Sequence, residues 1–395
     1  AANARWIVQS YDMSGDTTLP TLQNGATNAE DVFSFAFFST AAINQPPTVT
    51  LTAPATATRL VQGDSVILTA DASDADGTVA KVEFFDGATS LGSVTTAPYS
   101  LSISNLALGR HTFLAKAADD RDSLATSASS IVTVTPPAGT GGLFFDGADA
   151  HVAFGNNPAF GLSSFTLECW FRRDGDGATA SSGSGGVSVY PLISHGRGES
   201  DGSNVDCNYL FGIESSSGKL AADFEDMATG LNHPAVGSTV VPAGVWQHGA
   251  VTFDAAAHEW RLYLNGGLEA VVSTDGQVPR SDCIQHAGIA AAFDSKGVPA
   301  GAFLGALDEV RVWNYARSQS EIQQAINSEI ASASGLIGRW AMTEGSGATV
   351  TSTATGAITG TLVNQPTWIA GAPFDINALP SVAISAPGAG STFTS

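Results

Sequence analysis

Short runs in which every second residue is apolar, separated by Gly, Asp, Asn and Pro, fill most of the chain. That period of two is the mark of half-buried strands. Val49-Thr-Leu-Thr, Ser65-Val-Ile-Leu-Thr-Ala70 and Val79-Ala-Lys-Val-Glu-Phe-Phe85 follow it, as do Gly109–Ala117 and Ile131–Thr135. Phe165, Leu167 and Cys169 share one face of a further strand, and Val310 and Val312 one face of another. Arg5–Tyr11 and Asp31–Phe38 also alternate, with Phe33, Phe35 and Phe37 on one face. One short helix is predicted: Ser318 and Glu321 form a capping box, and Ile322, Ala325, Ile326 and Ile330 make an apolar stripe that would cover a sheet edge. The class is all-β, two sandwiches with one short helix.

Punctuation divides the chain. Asn44-Gln-Pro-Pro47, Pro136-Pro137 and the Gly-rich Ala138–Gly142 read as linkers, and Leu379–Pro387 echoes Pro47–Pro54. Four segments result: 1–45, the tail of a preceding domain or a packed hairpin; 46–136; 137–375; and 376–395, the first strand of a further repeat. Ala1–Gln9 lacks the basic and apolar regions of a signal peptide, so position 1 is not expected to be where synthesis starts.

Ser73-Asp-Ala-Asp-Gly-Thr-Val79 together with Val82-Glu-Phe-Phe-Asp-Gly87 resembles the bacterial Ig-like domains that space out modules in secreted glycosidases and adhesins. The resemblance covers the second segment and implies a spacer. In the third, Leu143-Phe-Phe-Asp-Gly147, Ser164–Phe171, Trp246–Phe253, Trp260–Gly266, Gly305–Asn314 and Gly338–Gly347 occur in the order found in laminin-G-like, concanavalin A-like jelly rolls. The implied architecture is an Ig-like β-sandwich followed by a concanavalin A-like jelly roll. Trp170, Trp246, Trp313 and Trp340 are read as core and seam residues rather than sugar platforms.

Composition narrows the partners. A net charge of −21 with 16 scattered basic residues argues against nucleic acid, which needs clustered Lys and Arg. No run approaches the roughly 20 apolar residues of a membrane helix. Charged residues are 13% of the chain, so the polar surface is mostly Ser, Thr, Asn and Gly, as suits an extracellular sandwich. Of the three cysteines, Cys169 lies on a core strand, while Cys207 and Cys283 sit in polar loops. A Cys207–Cys283 disulfide is the favoured pairing, in keeping with an oxidising compartment; sequence alone does not fix it.

Three chemistries have candidate residues. The jelly-roll resemblance implies a structural calcium ion held by Asp146 and Asp308, with Gly147 or Asp149 nearby; Thr351-Ser-Thr353 departs from the relatives, which frequently carry an Asp there. Laminarinase-like relatives place Glu-x-Asp-x-Glu on one strand, and Ala221-Ala-Asp-Phe-Glu225 keeps Asp223 and Glu225 but has Ala221 where the first carboxylate belongs. Asp71, Asp74 and Asp76 lack the closing Glu of an EF-hand and read as a solvated turn. His195, Arg197, Glu199, Asp201, Asn204 and Asp206 crowd polar groups into one loop, suited to sugar hydroxyls or protein, and Asp223 is taken with them.

These readings predict a non-catalytic module of a large secreted or cell-surface bacterial protein. Its partner would be a polysaccharide, a cell-surface glycan or a protein. The alternative is a structural subunit of an adhesin, surface layer or extracellular fibre, in which copies of the chain self-associate. A glycoside hydrolase is the less favoured third class.

Overall fold

The computed structural model describes residues 7–10, 33–36, 44–199 and 206–373. Ile7–Ser10 and Phe33–Ala36 pair antiparallel. The segment read as a further repeat, 376–395, lies outside the described residues.

The alternating runs after Pro47 build a first sandwich. Thr48–Ala53, Val66–Ser73 and Tyr99–Ile103 form one sheet. The other is ordered Thr58–Val61, Ser130–Thr135, Gly109–Asp119, Val79–Asp86, Thr89–Val94, with Leu124–Thr126 beside Gly109–Asp119. Leu68, Val82, Phe84, Phe113, Ala115 and Val132 are the inward side chains, each fully buried. Burying a side chain of the Val, Leu or Phe type stabilises by roughly 1.5–3 kcal/mol, so the five such positions define which face turns inward. Asp71 belongs to a strand, opposite Thr50, whereas Asp74 caps the following turn by accepting the Asp76 amide, the local bonding expected of an Asx turn.

The second sandwich packs two larger sheets. Among the described residues the first has eight strands, in the order Gly267–Ser273, Glu259–Leu264, Trp246–Asp254, Phe165–Arg173, Leu304–Trp313, Gly141–Asp146, Thr367–Ala370, with Leu336–Trp340 on Leu304–Trp313. The second has nine, in the order Ala235–Val240, Lys219–Asp223, Tyr209–Glu214, Ser188–His195, Ala287–Ile289, His151–Gly155, Thr359–Val363, Thr349–Thr351, with Ala180–Ser181 on Ser188–His195. Phe165, Leu167, Cys169, Val310 and Val312 face Tyr209, Phe211, Ile213 and Leu220 in one core, as their alternation requires. Phe224 lies 4.8 Å from Phe253 and Phe165 lies 5.5 Å from Trp260, edge to face. Trp170, Trp246, Trp313 and Trp340 are all buried.

The helix Gln319–Ala325 begins at Ser318 with both bonds of the capping box in place. It covers the outer face of the eight-stranded sheet rather than an edge. Ile322 packs on Ala250 and Tyr263, while Ile326 packs on Trp170 and Trp246 and accepts the Trp170 indole N–H at 2.8 Å. The reason lies in the other half of the alternation: Glu168, Trp170, His248 and Arg311 are outward residues too large or too charged to leave uncovered. Glu168 there is fully buried, accepting from Trp313 Nε1 at 2.9 Å and Arg317 at 2.8 Å, with Arg311 at 3.5 Å.

The two sandwiches touch. Arg59 of the first donates to Gln365 O at 3.2 Å and Thr367 Oγ1 at 2.6 Å of the second, and Arg110 pairs with Asp149 at 3.1 Å. Leu108 packs beside Leu304 in the same junction.

Candidate functional site

The polar loop that the sequence singled out leaves the end of Ser188–His195. His195 itself points inward and is 1% exposed; its ring nitrogens meet Phe160 O at 3.1 Å and Gln285 O at 3.1 Å. Burial holds its imidazole below the ordinary histidine range, so it is a neutral structural residue rather than a ligand contact. Asp201 and Asn204 lie outside the described residues.

Arg197, Glu199 and Asp206 converge on one side chain, the fully buried Gln285. Gln285 Oε1 accepts the Arg197 amide at 2.7 Å, and Gln285 Nε2 donates to Glu199 Oε2 at 3.0 Å and Asp206 Oδ1 at 3.5 Å. Glu199 also takes both the amide and the hydroxyl of Ser295, at 3.0 and 3.1 Å, and Arg197 pairs with Asp294 at 3.0 Å. Burial opposes ionisation of Asp294, but amides of Val298 and Lys296 and the Arg197 charge hold its carboxyl below the usual range. The described ends of the loop are therefore braced against 285–298, with Arg197, Glu199 and Asp206 engaged there. Gln285, Asp294 and Ser295 were not legible as site residues, because an amide, a carboxylate and a hydroxyl some ninety positions away carry no local signal.

Asp223 is brought to a different place. It stands at the end of Lys219–Asp223 on the outer face of the nine-stranded sheet, beneath the segment 178–187. Ser182 Oγ donates to its Oδ2, and the His233 and Phe224 amides donate to its Oδ1, each at 2.8 Å. Ala180 and Val187 of that segment pack on Leu210 and Ala221. Gly186 allows the close fit: a Cβ there would lie 2.3 Å from Asp223 Oδ2 and 2.1 Å from Ser182 Oγ. Burial pushes the Asp223 carboxyl up to about 7, against the pull of those three donors. Glu225 is also pushed up to about 7, by burial and by the neighbouring Asp206 carboxylate, and accepts the Asp206 amide at 3.2 Å. A retaining glycosidase needs two carboxylates facing substrate about 5 Å apart. Here Ala221 is one of the three alternate positions, and Asp223, the second, is sealed.

The residues proposed for calcium do not form one site. Asp146 is opposite Leu304, whereas Asp308 lies one residue beyond the Leu143–Leu307 pair. Four residues along a strand separate them by about 13 Å. Asp146 Oδ1 caps its own turn, accepting the amides of Ala148, Asp149 and Ala150, which also explains the left-handed Gly147 at φ +75°. Asp149 pairs with Arg110. Asp308 accepts the amides of Glu309 at 2.6 Å and Ala372 at 2.9 Å, and burial together with the Glu309 charge pushes it up to about 7. Among the described residues no group of three or more His, Cys, Asp or Glu side chains is placed to hold a metal ion. The donor set therefore does not fit the ion that the resemblance implied.

The expected Cys207–Cys283 bond is likewise not formed; Cys169, Cys207 and Cys283 are all free and buried. Cys283 Sγ is directed at Asp206 O, 2.6 Å away, instead of at the neighbouring sulfur. Burial pushes the Cys283 thiol up to about 12 and also raises the Cys207 thiol well above its ordinary range.

Comparison with known proteins agrees with this architecture. Residues 47–115 match the bacterial Ig domain family, and residues 146–323 match the concanavalin A-like lectin/glucanases superfamily. No curated protein matches the chain. Among solved structures, fibronectin(III)-like modules of Clostridium thermocellum CbhA are 31% identical over 22% of this chain and 94% of theirs, with a TM-score of 0.21. A candidate carbohydrate binding protein from Bacteroides ovatus is 15% identical over 82% of this chain and 99% of its own, with a TM-score of 0.41. The CBM40 module of a Ruminococcus gnavus sialidase, bound to α2,3 sialyllactose, is 16% identical over 41% and 82%, with a TM-score of 0.34. Sheet order, core and family matches together identify residues 47–115 as part of a bacterial Ig domain and residues 146–323 as part of a following domain of the concanavalin A-like lectin/glucanases superfamily.

Proposed function

We propose that the chain is a non-catalytic carbohydrate-binding module of an extracellular bacterial protein, with the jelly roll as the binding domain and the Ig domain carrying it. The superfamily it belongs to embraces both lectins and glucanases, so the distinction rests on the site. The observation that carries the reading is the burial of Asp223 under residues 178–187, beside an alanine where the first carboxylate of the catalytic pattern belongs. Substrate has no route to that carboxyl while Ser182 and Val187 are seated. No helix among the described residues is long and apolar enough to cross a membrane.

The test is to incubate the full chain with a panel of soluble and insoluble polysaccharides. Both retention and release of reducing ends are then measured. Retention on at least one glycan with no release of sugar is expected. Turnover that disappears in Asp223→Asn or Glu225→Gln would overturn the reading.

A further inference from the structure

The exit of the jelly roll holds a cleft of about 430 Å³ that no described residue of the polar loop lines. It is lined by Gly345, Ser346, Gly347, Ala348 and Leu362 on one side and by Asn364, Gln365, Pro366 and Trp368 on the other. Trp368 sits differently from four other tryptophans. Trp170, Trp260, Trp313 and Trp340 are buried, and each gives its indole N–H to an oxygen: Ile326 O, His233 O, Glu168 Oε1 and Ile358 O. Trp368 is half-buried, packs on the core, contributes to the cleft wall, and its N–H has no hydrogen-bond acceptor. A buried tryptophan normally satisfies that group, so nothing in the hydrogen bonding of the fold asks for an indole here.

The turn that leads into Trp368 is equally particular. Thr359–Val363 belongs to the nine-stranded sheet and Thr367–Ala370 to the eight-stranded one, so residues 364–366 carry the chain across the edge of the sandwich. Asn364 and Gln365 make that crossing with φ of +56° and +57°, two successive left-handed residues neither of which is glycine. Such conformations persist where the surroundings hold them, and they concentrate at ligand sites. Here the hold comes from outside the turn. Asn364 Nδ2 donates to Asp149 O at 3.2 Å, and Arg59 of the Ig domain donates to Gln365 O and Thr367 Oγ1.

The geometry points to this cleft as a binding subsite for an uncharged pyranose of a neutral polysaccharide, with Trp368 as the apolar wall and the Asn364–Gln365 turn supplying amides to the hydroxyls. This assignment rests on the carbohydrate-binding reading above and names where and what it binds. Three features select the ligand. Every lining residue is uncharged, in a chain whose net charge is −21, so an ionic sugar finds no counter-charge in the cleft. A flat aromatic flanked by amides and a hydroxyl matches a ring with an apolar face and a polar perimeter. The volume falls within the range of small-ligand sites. Arg59 is then a positioning residue: the Ig domain braces the turn that the jelly roll presents.

The test is retention of the full chain on the neutral polysaccharide that wild type binds, measured by affinity electrophoresis and calorimetry. Trp368→Ala is expected to weaken binding at least about tenfold, the size of one lost stacking contact. Because Trp368 also packs on the core, Ala348→Phe, which fills the exposed side of the cleft, serves as the second variant and is expected to do the same at unchanged Tm. Arg59→Ala is expected to weaken binding a few-fold, and Arg59→Lys, which keeps a donor, to restore part of it. Wild-type retention left unaltered by both Trp368→Ala and Ala348→Phe overturns the subsite while leaving the broader reading in place. A wild type that binds no glycan in the panel overturns both.

Discussion

Asp223 accepts the Ser182 hydroxyl across the 41 residues that separate them in sequence, and that bond closes the segment 178–187 over the strand where a glucanase would display its carboxylates. The closure is held elsewhere as well. Gly198 N donates to Ser181 O at 2.8 Å and Asn232 Nδ2 to Ser184 O at 3.1 Å, so the roof is tied to both flanking loops. An acidic residue is retained beneath it, although its carboxyl is costly to ionise there.

Asp223 therefore makes stability depend on pH in a defined direction. Its folded value of about 7 lies above the ordinary aspartate range near 4, so between those limits the folded chain keeps a proton that the unfolded chain has released. The contribution is fully present below about pH 4 and is lost as pH rises through 7, with an upper bound of about 4 kcal/mol. Asp223→Asn removes this proton linkage. Calorimetric Tm measured from pH 4 to 8 should fall less steeply for the variant, with the residual slope from Glu225 and Asp308, which are raised in the same way. Parallel curves for the two proteins would show that Asp223 is ionised in the fold.

Gly186 tests the roof sterically. A Cβ at this position would overlap Asp223 Oδ2 and Ser182 Oγ, so Gly186→Val must displace the segment or the strand. Overpacking of this kind costs about 1–3 kcal/mol. Urea denaturation should register that loss, and the 178–187 segment should become cleavable by protease at concentrations that leave wild type intact. Equal stability and equal resistance would mean that the segment does not lie against Asp223.

The sandwiches were legible because a period of two is a local property: Phe165, Leu167 and Cys169 announce their inward face without reference to any other strand. The capping box at Ser318 is local in the same sense. What was not legible depends on which loops meet. Asp146 and Asp308 sit on adjacent strands, but the register that places them about 13 Å apart is set by the pairing of Leu143 with Leu307. The density of polar groups after His195 was visible, yet its consequence was not, because Gln285 and Ser295, which bind those groups, arrive from a distant loop. Nothing local in the sequence marks Trp368; only its missing hydrogen-bond acceptor and the cleft beside it set it apart.

Gln285 should behave as the keystone of the braced loop. It joins Arg197, Glu199 and Asp206, so Gln285→Ala leaves the Glu199 carboxylate and the Arg197 amide each short of a partner. An unsatisfied buried polar group costs about 1–3 kcal/mol. Gln285→Ala should lower stability by that amount, while Gln285→Glu should be worse than alanine at pH 8, since it sets a third carboxylate against Glu199 and Asp206. A Gln285→Glu variant as stable as wild type at that pH would show that Gln285 does not touch the two acids.

Arg317 probes the outer layer, where charged side chains are buried against one another. It donates to Glu168 Oε1 and lies over the Trp313 ring, 4.3 Å from its centroid, and Trp313 donates to the same oxygen. Burial acts against ionised Glu168, but Arg311 and Arg317, with the Trp313 indole N–H, hold it below the ordinary glutamate range. His248, fully buried and pushed down to about 4, stays neutral at physiological pH, so the two arginines carry the compensation. Removing one partner of a buried pair costs more than the pair contributes, typically 3–5 kcal/mol, because the remaining charge is stranded. Arg317→Ala should therefore destabilise by about that much. Replacing both Glu168 by Gln and Arg317 by Met should recover a large part of the loss, since no unpaired carboxylate then remains. Both variants are read by urea denaturation. A single variant within about 0.5 kcal/mol of wild type would mean that Glu168 is protonated or hydrated in the folded protein.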